Sequence, residues 1–238
     1  MATVVPRGPV QPGEPAPTFT LPAVERDGTV SLADYRGKSP LLLSINRGLW
    51  CSFCRRHIVV LGGLRHRLRQ VGVETLAIVA SPLERARLYV RHRPLGVPMA
   101  VDEEQVTHSA YGLPRPPRTP EIIQASERMR VHLDDVALSS DDLARLRGAV
   151  EESQRQPQQP MPVWDFIHMQ RRLYPYEMTE REQEEWVSNR TLGAAQFLID
   201  RDGVVRWTRV QDVAELPAGL GNHPKEGELL AAAQALSG

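Results

Sequence analysis

Two stretches of the sequence are almost continuously apolar over the length of one strand. They cover residues 40–46 and 73–80, and such runs are typical of strands buried on both faces of a parallel sheet. Between them, apolar residues recur at helical spacing among arginines: Ile58, Leu61, Leu64, Leu68 and Val71. This spacing predicts an amphipathic helix that ends near Gly72. Strand, helix and strand in this order predict a parallel βαβ core.

The pattern on either side of this core predicts further elements of the same sheet. Ser81, followed by a proline, predicts the cap of a second helix that runs to about residue 93. Residues 97–102 should form a shorter strand near an edge, because Pro98 cannot donate to a neighbour. The Arg-Asp-Gly turn at 201–203 predicts an antiparallel hairpin, with a last helix at 226–236. The sequence therefore predicts an α/β protein with a mixed central sheet flanked by helices.

The alternation of strands and helices stops between about residues 103 and 190, a segment called the insertion below. It is polar, with a helical stretch at 140–154 and breaks rich in proline. Thr179 and Glu182 have the spacing of a capping box, which predicts a further helix through Trp186. We expect residues 18–238 to form a single domain that contains this mostly helical insertion before the final hairpin. Residues 1–17, rich in proline and glycine, should form an extended arm.

Charge and composition exclude several classes of function. The 238 residues include 29 lysines plus arginines and 29 aspartates plus glutamates, so no net field favours nucleic acid or anionic lipid. No apolar run has the length of a membrane span, and residues 1–17 lack the apolar stretch of a secretory signal. We therefore expect a cytoplasmic protein that acts on a small-molecule or protein partner, with neither nucleic acid nor membrane involved.

The two cysteines of the chain stand close together as Cys51-Ser52-Phe53-Cys54. In a reducing compartment this spacing is more typical of redox catalysis or metal binding than of a structural disulfide. Cys51 falls at the predicted start of a helix, where the helix dipole favours a thiolate, and Cys54 lies one turn further on the same face. Cys51 is therefore the predicted nucleophile and Cys54 the resolving cysteine. Arg47 is the arginine that we expect to stabilise the thiolate.

The motifs around the dithiol resemble a known family. They are Gly-Lys at residues 37–38, Arg-Gly-Leu-Trp-Cys-Ser-Phe-Cys-Arg at 47–55 and Phe-Leu-Ile-Asp-Arg-Asp-Gly at 197–203. They resemble the alkyl hydroperoxide reductase and thiol-specific antioxidant group of the thioredoxin superfamily, and more narrowly its peroxiredoxin-like proteins. The resemblance covers residues 14–112 and 193–236. It implies a thioredoxin-like fold, a thiol-dependent oxidoreductase activity and an external thiol as electron donor, with no cofactor.

Two positions depart from the pattern that this resemblance implies. Typical peroxiredoxins have a threonine three residues before the reactive cysteine and an arginine just before the later strand, where this sequence has Gly48 and Ala194. Thioredoxins have a cis-proline before that strand, where this sequence has Ala194 or Ala195. These departures argue against peroxide activation and against a general thioredoxin. We expect the substrate to contact these alanines and the residues beside the cysteines, Trp50 and Phe53.

Other functions are compatible with the same residues. A specialised small-molecule enzyme could use the insertion as its substrate pocket, with Trp164 as the expected contact; the aromatic residues Tyr174, Tyr176 and Trp186 are either part of that pocket or the core of the insertion. The cysteines could instead bind zinc with two of four histidines, His57, His66, His92 and His168, or the chain could be an interaction protein. The insertion could also mediate a homodimer. The acidic residues at 180–185 are predicted to be a solvated helix face.

Overall fold

A five-stranded mixed sheet forms the centre of the protein. The computed structural model describes residues 8–115, 119–133, 140–173, 175–188, 190–211 and 223–237. In spatial order the strands are β5 (Met99–Val101), β4 (Glu74–Val79), β3 (Leu41–Asn46), β8 (Ala195–Ile199) and β9 (Val205–Val210). Strands β3, β4 and β5 are parallel, whereas β8 and β9 run antiparallel to their neighbours. This confirms the predicted α/β fold with a mixed sheet.

The central strand β3 is buried along its whole length, as its apolar run predicts. Leu41 pairs with Glu74 of β4 on one side and with Ile199 of β8 on the other. β5 lies at the sheet edge, as predicted from Pro98, and the turn between β8 and β9 closes the predicted hairpin. The carboxyl ends of the three parallel strands therefore lie at the same end of the sheet. The cysteines follow the carboxyl end of β3 there.

The helices beside the sheet begin close to the predicted positions. α1 (Ser52–Gln70) follows β3 and packs against α8 (Glu226–Ser237), while α2 (Leu83–His92) follows β4. The cap of α2 is Pro82 and not Ser81 as predicted. Ser81 does not cap the helix because its hydroxyl bonds with two distant residues, as described below.

The insertion is mostly helical, as predicted. Its elements are α3 (Val106–Ala110), α4 (Pro120–Arg128), β6 (Arg130–Val131), α5 (Ser140–Glu152), β7 (Met161–Pro162), α6 (Val163–Leu173) and α7 (Glu180–Val187). The capping box of Thr179 and Glu182 forms at the start of α7, which confirms that prediction. The short antiparallel pair of β6 and β7 was not predicted, because two-residue strands carry no periodic signal. The division of the chain into one domain with an insertion stays a prediction.

The amino-terminal segment packs along the final hairpin. Residues 1–7 of the predicted arm lie outside the described residues. Within the rest of the arm, the backbone N–H groups of Gly13 and Ala16 donate to the carbonyls of Val205 and Gly203 at 2.8 Å. A short hairpin of β1 (Thr20–Pro22) and β2 (Thr29–Ser31) follows. No helix in the described parts of the chain has the length and apolar character to cross a membrane.

Apolar side chains pack in separate clusters around the sheet. One face carries Leu43, Ile45 and Phe197, and the opposite face packs Leu42 and Leu198 against α1 and α8. A further cluster joins the start of α1 to the insertion: Trp50, Cys51, Phe53 and Cys54 pack with apolar residues of α5, α6 and the strands β6 and β7. The insertion is therefore packed directly on the two cysteines.

Candidate active site around Cys51 and Cys54

Cys51 caps the amino end of α1. It has an extended backbone, and its sulfur accepts a hydrogen bond from the N–H of Cys54 at 3.2 Å. This is the role that a serine or aspartate oxygen plays at most helix starts. The preceding turn is closed by the Cys51 N–H, which donates to the carbonyl of Gly48 at 3.1 Å. The end of β3 and the start of α1 therefore fix the position of the Cys51 sulfur, as the sequence predicts.

The environment of Cys51 favours the thiolate. Burial alone would raise its pKa, since only 4% of the residue is exposed. The Cys54 thiol, the Arg47 guanidinium and the Cys54 N–H outweigh that penalty, with a smaller contribution from Arg55, and lower the pKa to about 5. Cys51 is therefore ionised at neutral pH.

The environment of Cys54 favours the protonated thiol. This residue has no exposed surface, and burial raises its pKa well above the ordinary value. The hydrogen bond to Cys51 and the negative charge on that sulfur raise the pKa further. One thiolate and one thiol thus lie one helical turn apart, which are the protonation states that a nucleophile and a resolving cysteine require.

The side chain of Arg47 reaches both sulfurs. It is buried, and its interactions with Cys51 and Cys54 raise its pKa against the opposing effect of burial. Arg55 lies 5.5 Å from the ring of Tyr176, whereas Arg56 lies 4.9 Å from the rings of Phe53 and Phe166. The three arginines therefore have different surroundings. Arg47 stabilises the Cys51 thiolate more than Arg55 does.

A buried hydrogen bond between a histidine and a carboxylate holds the end of β3 just before Arg47. His108 Nδ1 lies 2.6 Å from a carboxylate oxygen of Asp102, and His108 Nε2 lies 2.9 Å from the carbonyl oxygen of Asn46. Both ring nitrogens face acceptors, so both donate when the imidazole is protonated. Burial alone would raise the pKa of Asp102, but the hydrogen bond and electrostatic interaction with the His108 side chain and the backbone N–H groups of His108 and Val106 lower it below the ordinary value. This pair fixes the backbone where β3 ends, and it has no recognisable sequence motif.

The other predicted site residues are only partly brought together. Trp50, Phe53 and Ala194 belong to the apolar cluster that contains both cysteines. Ala195 belongs to the cluster on the other side of the sheet, and Trp164 of α6 is 39% exposed outside the dithiol cluster. The packing thus places Ala194, and not Ala195, beside the dithiol.

Two of the aromatic residues predicted in the insertion contact residues near the dithiol. The ring of Trp186 lies 5.0 Å from the ring of Trp50, and Tyr176 packs against the guanidinium of Arg55. Tyr174 lies outside the described residues. The acidic residues at 180–185 are not all solvated as predicted, because Glu182 is only 1% exposed. Sequence reasoning missed this buried carboxylate, which lies within a strongly polar helix.

Gly48 packs tightly against the side chain of Trp50. A Cβ atom at this position would lie 2.6 Å from Nε1 of that indole and 3.3 Å from the carbonyl oxygen of Ala80. Real Cβ atoms do not approach other atoms to 2.6 Å. The position that holds a threonine in typical peroxiredoxins therefore has no space for a side chain here.

Metal binding finds no support in the described geometry. Within the parts of the chain that the structure describes, no group of three or more His, Cys, Asp and Glu side chains could hold a metal ion. His57, one of the candidate zinc ligands, is stacked on His223 with 4.3 Å between ring centroids. The zinc alternative thus has no donor set in these residues.

Solved structures share this fold at low sequence identity. Peroxidoxin BcpB from Mycobacterium tuberculosis has a TM-score of 0.53 at 12% identity, with 95% of this chain and 98% of that chain covered. The reduced 2-Cys peroxiredoxin of Plasmodium vivax has a TM-score of 0.55 at 16% identity, with 95% and 82% covered. A protein described as a putative protein disulfide isomerase, from Bacteroides thetaiotaomicron, has a TM-score of 0.50 at 14% identity, with 95% and 90% covered. These similarities show a thioredoxin-like fold.

The sequence itself gives the family. A search of curated proteins finds no match. Residues 12–135, slightly more than half of the 238, match the AhpC/TSA family, and this range includes both cysteines and the strands β3 to β5. The chain therefore belongs to the AhpC/TSA family.

Proposed function

We propose that this protein is a thiol-dependent oxidoreductase in which Cys51 is the nucleophile and Cys54 the resolving cysteine. The observation that carries this proposal is the opposite shift of the two thiol pKa values, downward to about 5 for Cys51 and upward for Cys54. The two residues are also in contact through the hydrogen bond from the Cys54 N–H to the Cys51 sulfur. A reactive thiolate beside a protonated thiol is the ground state that dithiol exchange requires.

The reaction is a two-electron exchange between the dithiol and a disulfide. The Cys51 thiolate attacks one sulfur of the substrate disulfide, forms a mixed disulfide and releases the other substrate sulfur as a thiolate. Cys54 then loses its proton and attacks the Cys51 sulfur, which forms the Cys51–Cys54 disulfide and releases the second substrate thiol. The substrate is reduced and the dithiol oxidised. Two molecules of an external thiol, or one external dithiol, then reduce the Cys51–Cys54 disulfide and are themselves oxidised to a disulfide.

Residues around the dithiol have distinct roles in this scheme. Arg47 stabilises the Cys51 thiolate before attack, and because it also interacts with Cys54 it stabilises the Cys54 thiolate that resolves the mixed disulfide. Trp50, Phe53 and Ala194 supply apolar surface against which a substrate can bind. Gly48 and Ala194 offer no hydroxyl and no cation to a hydroperoxide, which favours disulfides as substrates over peroxides.

Single substitutions of the cysteines test this function. Cys51→Ser should abolish reduction of a small disulfide by a dithiol donor, whereas Cys54→Ser should accumulate a mixed disulfide that mass spectrometry detects. Ultraviolet absorbance of the thiolate should titrate near pH 5 in the wild type and be absent in Cys51→Ser. Retention of turnover in Cys51→Ser, or a Cys51 thiol pKa near the ordinary value, would contradict the proposal. A parallel assay measures whether the protein also reduces a hydroperoxide.

The insertion favours a second candidate, an enzyme specialised for one small molecule. Cys51 is 4% exposed and Cys54 is not exposed at all, because residues of the insertion pack over them. A folded polypeptide with a disulfide needs far more open surface than a compact molecule does. Turnover of small disulfides with no reduction of insulin would favour this candidate. Rapid reduction of insulin would contradict it and leave the general oxidoreductase in place.

A further inference from the structure

Glu182 of the insertion is joined to the loop before Cys51 by a chain of buried hydrogen bonds. The Ser81 hydroxyl donates to Oε1 of Glu182 at 2.7 Å, and its oxygen accepts the backbone N–H of Leu49 at 3.0 Å. Ser81 and Leu49 have no exposed surface, and Glu182 is 1% exposed. Leu49 lies two residues before Cys51. One hydroxyl thus connects α7 of the insertion, the end of β4 and the cysteine loop.

The carboxylate of Glu182 is itself held firmly. Oε1 also accepts the Tyr176 hydroxyl at 2.8 Å, and Oε2 accepts the N–H and the hydroxyl of Thr179 at 2.9 and 3.2 Å. Together with Ser81, these four donors satisfy both oxygens of a buried carboxylate, which would otherwise be costly to bury. The acceptor that orients Ser81 is therefore fixed from several directions.

The same helix contacts the cysteine loop at a second point. Trp186, one turn beyond Glu182 on α7, packs on Trp50, the residue directly before Cys51. The other end of the loop is held by His108, which bonds to the carbonyl oxygen of Asn46. The loop from 47 to 51 is thus held at its start by His108 of α3 and further along by Ser81 and α7.

We propose that Ser81 and Glu182 are positioning residues that hold the loop at 47–51, so that the insertion controls the reactivity of Cys51. The proposal rests on the function assigned to the dithiol above. The loop carries Arg47 at one end and the sulfur of Cys51 at the other, so its shape sets the distance over which the guanidinium stabilises the thiolate. The ionisable groups that act on Cys51 are Cys54, Arg47 and Arg55.

The loss of the Ser81 hydroxyl should therefore change the thiol and not only the fold. In Ser81→Ala the Leu49 N–H keeps no acceptor at this position, and a buried donor without an acceptor drives the backbone to rearrange. Arg47 then moves relative to the Cys51 sulfur. We expect the pKa of Cys51 to rise by about one unit, which leaves roughly tenfold less thiolate below the pKa.

The test measures the thiolate directly, so that access of a reagent to the buried sulfur does not matter. Ultraviolet absorbance is followed from about pH 4 to about pH 9 in the reduced protein, with Cys51→Ser as the blank. The series contains wild type, Ser81→Ala, Glu182→Ala and Glu182→Gln. Glu182→Gln keeps an oxygen acceptor for Ser81. It should bring the Cys51 pKa most of the way back from the Glu182→Ala value to the wild-type value.

Arg181→Ala is the matched control, because Arg181 is the neighbour of Glu182 on α7 but bonds to Glu103 and Glu104 at the surface. It should lower the stability of the insertion in urea denaturation and leave the Cys51 pKa unchanged. An unchanged pKa in Ser81→Ala and Glu182→Ala would overturn the proposal, and so would an equal shift in Arg181→Ala. An ordinary Cys51 pKa already in the wild type would instead refute the proposed function.

Discussion

Cys51 and Cys54 differ in protonation although they lie only one helical turn apart at the start of α1. Cys51 precedes the helix, so its sulfur receives an N–H and faces Arg47, whereas Cys54 lies inside the helix and faces a neighbour that is already negative. Two thiols in contact cannot both ionise at low cost, so the one with more donors takes the charge. The position of the helix start therefore distinguishes the proposed nucleophile from the proposed resolving cysteine.

Gly48 is the residue at which the departure from typical peroxiredoxins can be tested. Gly48→Thr places a Cβ 2.6 Å from the Trp50 indole, so that ring must move away from its present position. We expect a loss of about 1–3 kcal/mol of stability in urea denaturation, typical of overpacking, and no gain in hydroperoxide turnover. Gly48→Ala controls for the hydroxyl, because it has the same Cβ without the oxygen. A gain in peroxide turnover with unchanged stability would refute this explanation of Gly48.

The sequence identifies a candidate site residue where its position relative to a neighbouring helix or strand is enough to suggest its role. The helix start predicts Cys51 as the nucleophile and the preceding loop predicts Arg47 as its stabilising cation, and both roles stay predictions. Ser81 and Glu182 carry no such local signal, because Ser81 fits the pattern of a helix cap and Glu182 that of a solvated helix face. Their pairing spans 101 positions along the chain and depends on where the insertion packs. No local pattern contains that information.

Among the elements, α1 contains two adjacent glycines in different surroundings. A Cβ at Gly62 would lie 1.9 Å from the carbonyl oxygen of Leu95, whereas a Cβ at Gly63 would meet nothing within 4 Å. Gly63→Ala should therefore stabilise the protein by about 0.5–1 kcal/mol, because alanine favours the helix. Gly62→Ala should destabilise it by about 1–3 kcal/mol, because α1 must move away from the loop that contains Leu95. Equal effects in urea denaturation would show that this close approach does not exist.

The elements that the sequence predicts best are those with a long period or a long apolar run. β3, β4 and α1 are of this kind, and the capping box of α7 is a local signal of equal clarity. The pair of β6 and β7 was missed because each strand has only two residues. The two strands are also separated along the chain by α5, so neither segment alone contains a signal that favours a strand.

At the scale of the whole molecule, the insertion and the sheet share the cluster that contains the cysteines. Phe166 and Val163 of α6 are fully buried in it, beside Phe53 and Cys54. The sequence predicts helices in the insertion but not their packing, because an apolar helix face specifies burial and not the surface that buries it. Cys51 is only 4% exposed and Cys54 is not exposed at all, so the proposed chemistry at the dithiol would require the insertion to move.

Substitution of Phe166 or Trp164 tests whether the insertion must open. The two are a matched pair, because both are large aromatic residues of α6. Phe166 is fully buried and lies 5.8 Å from the ring of Phe53, whereas Trp164 is 39% exposed. Phe166→Ala should leave a cavity under the insertion, promote its local opening and accelerate alkylation of Cys51 by iodoacetamide at least about tenfold. Trp164→Ala should change that rate less than about twofold, since Trp164 lies outside the apolar cluster that covers the cysteines. An unchanged rate in Phe166→Ala would show that the insertion does not limit access. Trp164→Ala could also raise the Michaelis constant without a change in the alkylation rate. That result would show that Trp164 contacts the substrate and does not control access to the cysteines.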